Sequence, residues 1–291
     1  MIIEYFDDLY PQKLREIENP PSRLYVLGNP KILNEMGIAV VGSRTNTQYG
    51  EKMCKTFTKN LVEYGFNIIS GLAIGIDSIA HKTCVKNSGK TIAVLPSGLK
   101  KIYPEKHIPL AKEILNNGGA LISEYEPNTK ADSKKFLERN RIVAGLCIGT
   151  LVVEAGYRSG TSVTANFTQK QGKNVFCIPS SLENIKGKTT NELIQKGAKL
   201  VTDVDDILKC YPSINFSKKK IEQKDIYIDI PQELLDVYKV INDNPKDVNE
   251  IAIRTGLSIS EVNYKTLMLQ IDNKIVELPG QQFIRRSEDT E

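Results

Sequence analysis

The chain has 291 residues, 40% of them hydrophobic and 25% charged, with a formal net charge of +4. That length buries a sizeable core plus a smaller module, and the composition is that of a globular protein rather than a disordered or fibrous one. No apolar run reaches the ~18 residues of a membrane span, and the opening MIIEYFDDLYPQ has acids where a signal peptide needs bases. Five scattered cysteines without a CxxC, and only two histidines, argue against disulfides and a zinc site. The expectation is a cytoplasmic protein with reduced core thiols, no membrane association, no metal and no cofactor.

Residues 1–36 read as a short lead-in, with turns at Pro11 and at Pro20-Pro21 and an edge strand over 24–27. From 38 to 208, apolar strand patterns alternate with helical ones. Strands are expected over 38–41, 67–70, 91–95, 120–123, 150–153, 174–178 and 199–201. Helices are expected near 51–64, 75–86, 105–116, 136–144, 162–171, 191–196 and 203–208. Gly65, Gly89, Gly118, Gly149, Gly172 and Gly197 punctuate the helix ends. Strict β-α alternation predicts an α/β fold, a doubly wound parallel sheet with helices on both faces, over residues 37–210.

Residues 211–229, with the run Lys218-Lys219-Lys220, read as a linker in which the lysines are solvated or meet DNA. Helices over 232–242, 248–255 and 260–272, followed by a hairpin of 275–278 and 282–285, give residues 230–286 a winged-helix outline, with 287–291 as a tail. The third helix offers Lys265 as a base beside Glu261 and Asp272, which is thin for reading duplex DNA. DNA contact and a protein-contact or structural role both stay open for this module.

The chemistry clusters where strands hand over to helices. In GIAVVGSRTNTQYG (37–50), a buried strand feeds Gly42-Ser43-Arg44 and then a helix start, a geometry that aims N–H groups and an arginine at an anion. The turn is not GxGxxG, and the next strand ends Ser70-Gly71 with no acid for a ribose, so NAD is not expected. Gly71 and Gly75 open a second turn and let backbone approach a ligand; Asp77 and His81 share a face of the helix that follows, as a proton-transfer or a helix-stabilising pair. The loop LPSGLKKIYP (95–104) carries Lys100, Lys101 and Tyr103, the ring either stacking on a base or packing on the fold. Lys134, Lys135, Phe136, Arg139, Asn140 and Arg141 interleave bases with an aromatic ring, as single-stranded nucleic acid requires. Arg139 and Arg141 are two residues apart, so they point to different helix sides and one serves the interior. Ser159, Gly160 and Thr161 open a further helix with small groups fit to cap it or hold a phosphate. Glu154 is the strand-end carboxylate best placed for catalysis, yet no nucleophile, base or carboxylate partner stands near it in sequence.

Together these segments resemble the DNA-processing protein A (Smf) family. The resemblance runs through YPQKL (10–14), VGSR…YG (41–50), SGLAIGID…AH (70–81), IAVLPSGL…YP (92–104), ISEY (122–125), RNRIVAGL (139–146), LVVEA…SGT (151–161) and NELIQKGA…DIL (191–208). It implies a Rossmann-like domain that binds single-stranded DNA, dimerises and helps load the RecA recombinase in natural transformation or recombination. It places phosphate on Arg44, and the DNA pocket on Phe136, Arg139, Asn140 and Arg141 with Lys134 or Lys135 nearby. Three positions depart from the family pattern: Leu137 follows Phe136 where the family has proline, Ser180 follows Pro179 where it has glycine, and Thr189-Thr190-Asn191 replaces Gly-Thr-Asn.

The reading is a homodimeric, non-enzymatic binder of single-stranded DNA, with phosphates over Arg44 and the glycine turns and bases against Phe136. Two rivals remain: a nucleotide hydrolase of the phosphoribohydrolase group, disfavoured because Glu154 precedes the Ser159–Thr161 loop, and a small-nucleotide sensor.

Overall fold

The computed structural model describes residues 1–156, 160–218, 230–242 and 244–286. The chain divides into two compact units, Met1–Gln223 and Lys224–Glu291. In the first, β1 (Ile2–Glu4), α1 (Gln12–Arg15) and β2 (Arg23–Gly28) precede the alternating body. That body runs β3 (Gly37–Val41), α2 (Gln48–Glu63), β4 (Asn67–Ser70), α3 (Ile76–Lys86), β5 (Thr91–Val94), α4 (Ile108–Asn116), β6 (Ala120–Ser123) and α5 (Ser133–Leu146). It continues with β7 (Gly149–Val152), α6 (Gly160–Lys170), β8 (Asn174–Cys177), α7 (Lys188–Gln195), β9 (Lys199–Leu200) and α8 (Asp205–Leu208).

The strands form one nine-stranded sheet in the order β1-β2-β6-β5-β4-β3-β7-β8-β9. β3 to β9 pair in parallel, and β2 runs antiparallel to both of its neighbours. Successive side chains in a strand face opposite ways, and here both ways are dry. Ile38, Val40, Ile68, Leu151 and Phe176 pack with Phe57, Leu61, Ile76, Ala80 and Ile207 from α2, α3 and α8. Ala39, Val41, Ile69, Val94 and Val152 pack with Ile142, Val143, Leu146, Ala165 and Leu193 from α5, α6 and α7. The chain moves outward from β3 to β6, then returns through α5 to β7 on the other side of β3. That reversal opens a crevice at the carboxyl ends of β3 and β7, where such sheets hold their ligands.

The lead-in is built into this core. Segment 24–27, expected at an edge, lies inside the sheet: β2 pairs with β6, and β1 forms the edge beyond it. Tyr10, Leu14, Ile17, Leu24 and Val26 are buried in the same cluster as the central strands, and the Tyr10 hydroxyl donates to the Pro21 carbonyl at 2.7 Å. Leu14 reaches α5 because Gly145 has no side chain there. The helix expected over 136–144 starts earlier, at Ser133, since Asp132 caps it by accepting from Lys135 N–H at 2.9 Å. Four of the five thiols are buried, and burial pushes the Cys54 thiol up to about 12.

The second unit holds α9 (Leu235–Val240), β10 (Lys246–Asp247), α10 (Val248–Thr255), α11 (Ile259–Ile271), β11 (Ile275–Leu278) and β12 (Gln282–Arg285). The strands form an antiparallel sheet ordered β10-β12-β11, and Val237, Ile251, Val262, Leu269 and Phe283 make the core. Gly256 ends α10 at φ +73°, and Ser258 with Glu261 forms a reciprocal cap on α11. The helix expected over 232–242 splits into a 3₁₀ turn, Gln232–Leu234, and α9. Within the expected linker, residues 211–218 belong to the first unit and 219–229 lie outside the described residues, as does the 287–291 tail.

Asp77 and His81 do not pair. Asp77 turns to the loop after β4, whereas His81 is fully buried with Nδ1 2.7 Å from the Thr91 hydroxyl. Thr91 gives its only hydrogen to the Ile68 carbonyl, so Nδ1 must be the donor, and Nε2 has no partner among the described residues. Burial, with smaller contributions from His107 and Arg139, pushes the His81 pKa down to about 3. The unfolded chain, with an ordinary imidazole, takes up a proton below about pH 6.5 that the folded chain refuses, so stability falls with pH in that window. Between pH 7 and 5.5 this group should remove roughly 1 kcal/mol of unfolding free energy. Urea titrations of the parent and of His81→Gln at both pH values should find that loss in the parent alone.

Candidate nucleic-acid interface

Two strand-to-helix turns and two helices border the crevice. The turn after β3 brings Gly42, Ser43 and Arg44; the turn after β4 brings Gly71 and Ala73. α5 and the start of α6 close the other side. Together they line a cavity of about 340 Å³ that includes Val41, Gly42, Arg44, Gly71, Ala73, Asp77, Phe136, Leu137, Arg139, Asn140, Val143, Gly160, Thr161 and Thr164. On α5 the spacing selects the lining: Phe136, Asn140 and Val143 recur at i, i+4 and i+7, one helix face. Val41, Ala73, Asp77, Leu137, Val143 and Thr164 were not foreseen as lining residues. Val143 was within reach of the sequence, since it falls inside the expected 136–144 helix at i+7 from Phe136.

The β3 turn is fixed from behind. Ser43 N–H donates to the Glu154 carbonyl at 2.6 Å, its hydroxyl accepts from Thr45 N–H at 3.1 Å, and its carbonyl accepts from Ile76 N–H at 3.1 Å. Glu154, weighed above as a catalytic carboxylate, is 1% exposed and fully engaged. It accepts from Thr47 N–H and the Thr47 hydroxyl, both at 2.7 Å, and from Asn184 Nδ2 at 2.9 Å. It holds the start of α2 and does not line the cavity.

The glycines of both turns make room for protein rather than for a ligand. A Cβ on Gly42 would come within 2.6 Å of Ile76, and one on Gly71 would overlap the Arg139 guanidinium. Gly75 sits at φ +83° with its α-carbon against the Ser43 carbonyl. The α3 start thus docks directly on the β3 turn.

Arg44 is exposed and makes no ion pair among the described residues. Its guanidinium carbon lies 4.8 Å from the centre of the half-buried Phe136 ring, within cation–π range. Tyr103, half exposed, meets the same ring edge-on at 5.6 Å, so the lysine-rich loop after β5 reaches the cleft through its tyrosine.

The remaining basic residues separate. Arg139 is 4% exposed; it donates from Nη1 to the Gly71 carbonyl at 2.7 Å and to the Val94 carbonyl, and from Nε to Asn140 Oδ1 at 3.2 Å. Burial pushes its pKa down to about 10, opposed by Asp77, which leaves it charged near neutrality. Asp77 in turn accepts from Gly71 N–H at 3.1 Å; burial raises its pKa above the usual carboxylate value, and Arg139 pulls it back. Asn140 Nδ2 donates to the Gly160 carbonyl at 3.3 Å, tying α5 to the start of α6. Arg141 is on the opposite side of α5, in an ion pair with Glu124 at 2.5 Å, and does not line the cavity. Lys134 points outward beside Glu138 at 3.5 Å, and Lys135 pairs with Asp132, 5.7 Å from the Tyr125 ring. Gly160 and Thr161 line the cavity, and Ser159 lies outside the described residues.

Of the residues singled out from the sequence, the fold gathers Gly42, Arg44, Gly71, Phe136, Arg139, Asn140, Gly160 and Thr161 around the cleft, with Ser43 and Gly75 immediately beneath. It sends Lys134, Lys135 and Arg141 elsewhere. No helix among the described residues is long and apolar enough to cross a membrane, and no group of three or more metal-binding side chains is gathered among them.

The sequence model of DNA recombination-mediator protein A matches residues 1–212. Protein Smf of Escherichia coli is 36% identical over 283 residues, covering 94% of this chain and 74% of its own. Among solved structures, DNA processing protein A of Streptococcus pneumoniae superposes with a TM-score of 0.68 at 40% identity, over 72% of this chain and 73% of its own. The Helicobacter pylori protein, whose structure was described for its single-stranded DNA binding mode, superposes with a TM-score of 0.66 at 31% identity, over 73% of this chain and 95% of its own. The chain belongs to the DNA recombination-mediator protein A family, whose members are named Smf or DprA.

Proposed function

We propose that this chain is a cytoplasmic binder of single-stranded DNA, without enzymatic activity, that works as a homodimer and helps to load the RecA recombinase on incoming or broken strands. One observation carries the reading: an exposed arginine with no ion pair among the described residues stands over an aromatic ring at the mouth of a cleft. A phosphate meeting Arg44 displaces no carboxylate, and a base meeting the Phe136–Tyr103 pair finds ring surface that accepts any base. The α3 and α6 starts add their dipoles on the same rim. The Helicobacter relative, described for binding single-stranded DNA, supports the assignment. Residues 37–210, with the strands of 1–36, act as the DNA-binding domain.

The second unit is read as a winged-helix module of residues 230–286. Its third helix is poorly equipped for a duplex: Lys265 donates to Asp236 at 2.6 Å, and Tyr264, Leu267 and Ile271 face solvent. A structural or protein-contact role suits that surface better than groove reading. The placement of Glu154, sealed behind the β3 turn, weighs against base-releasing hydrolysis.

Gel shifts of the full chain should favour single-stranded over duplex DNA, with affinity falling as salt rises. Arg44→Ala should weaken all sequences alike and flatten the log–log salt dependence by about 0.7, one phosphate contact on a single strand. An unchanged slope would remove Arg44 from the backbone path. Phe136→Ala should lower affinity by about 1–3 kcal/mol, the worth of one stacked base; full retention of binding would place the bases elsewhere.

A further inference from the structure

Arg139 is positioned unlike Arg44, although both border the same cleft. Its Nη1 and Nε groups are committed to two strand-end carbonyls and to Asn140, and the side chain is 4% exposed. Asp77 lies on the other side of the Gly71 residue. It takes the Gly71 N–H at 3.1 Å while Arg139 takes the Gly71 carbonyl at 2.7 Å. It also takes the Ala73 N–H at 3.4 Å. The two charges are opposite and close enough to perturb one another, so together they present little net field to a polyanion.

We propose that Arg139 and Asp77 are positioning residues: a buried clamp that locks the Gly71 turn, and with it the floor of the cleft, in the shape that receives the strand. The proposal rests on the single-stranded DNA reading above. Arg139 also joins three elements that must stay in register. Nη1 bridges the ends of β4 and β5, Nε aligns Asn140 with the start of α6, and the guanidinium carbon lies 5.9 Å from the Phe136 ring. A lysine keeps the charge but not the planar fork, whose Nη1 holds two carbonyls while its Nε holds Asn140. Gly71 is demanded by this arrangement, because a Cβ there would occupy the guanidinium's place.

The two roles separate in one experiment. Binding of a labelled oligothymidylate to the full chain is measured by fluorescence anisotropy at several salt concentrations, with thermal melts alongside, for the parent, Arg44→Ala, Arg139→Lys and Arg139→Gln. A positioning clamp predicts that both Arg139 variants raise Kd about tenfold while the salt slope stays that of the parent. Arg44→Ala instead lowers the slope by about 0.7. A folded Arg139→Lys that binds within about twofold of the parent overturns the proposal, since the charge alone then suffices. A slope for Arg139→Gln that falls as in Arg44→Ala overturns it too, making Arg139 a direct phosphate ligand. Collapse of both Arg139 variants in the melts overturns it as well, by making the arginine a requirement of the fold. If Arg44→Ala weakens binding and the Arg139 variants do not, the clamp alone fails. A parent that binds no oligonucleotide overturns the DNA reading and the clamp together.

Discussion

A guanidinium taken out of water must find acceptors, and in this fold the acceptors it finds set the shape of the cleft. Isolated burial of a charge costs many kilocalories; burial among carbonyls and beside a carboxylate is tolerable. Arg139 meets that requirement with the ends of β4 and β5 and with the field of Asp77. Those bonds in turn require Gly71 to lack a side chain, and they fix the rotation of α5 about its axis. Once that rotation is set, Phe136 comes under Arg44, Asn140 reaches the start of α6, and Arg141 is carried round to Glu124.

The other turn is governed by close packing in the same sense. Glycines at a strand-to-helix junction invite a phosphate-loop interpretation, because backbone can then approach a ligand. Here Gly42 and Gly75 admit Ile76 and the Ser43 carbonyl, and Gly50 admits the Glu154 carboxylate. The chain is pressed against itself, and the side chain of Arg44 is what the turn offers to solvent. A tight turn of this kind holds the arginine's α-carbon still, so only side-chain freedom remains to be lost when it engages a phosphate.

How much of this could be read from the sequence follows from where the signals are local. The strands β3 to β8 were legible because both faces are buried and their apolar runs are bounded by glycines. β1 was not: three residues carry no period, and Ile3 is buried only because β2 and the central sheet lie beside it. Arg44 was legible because a strand end, a glycine and an arginine are adjacent. The division between Arg139 and Arg141 was half legible: helical geometry says that they diverge, but which one turns inward depends on carbonyls contributed by β4 and β5, far away in sequence. The structural role of Glu154 was not legible for the same reason. Its partners, Thr47 and Asn184, come from two loops that only the folded sheet brings together.

The second unit shows the limit of reading function from an outline. Its helix–glycine–helix pattern and hairpin formed where the sequence places them, yet the outline says nothing about which surface is used. The side chains say more. Lys246 and Arg254 both lie against Glu250, Lys265 is held by Asp236, and Arg285 bonds the Ile241 and Tyr238 carbonyls. Phosphate contacts would have to compete with those partners, whereas Arg44 in the first unit has no carboxylate to release among the described residues. Meanwhile α11 is apolar on two sides, with Val262 and Leu269 turned to the core and Tyr264, Leu267 and Ile271 turned to water. A helix built to lie in a DNA groove places donors on its outer side. The contrast between Arg44, without an ion pair among the described residues, and the paired cations of the second unit is therefore an electrostatic reason for proposing the sheet rim as the polyanion's site.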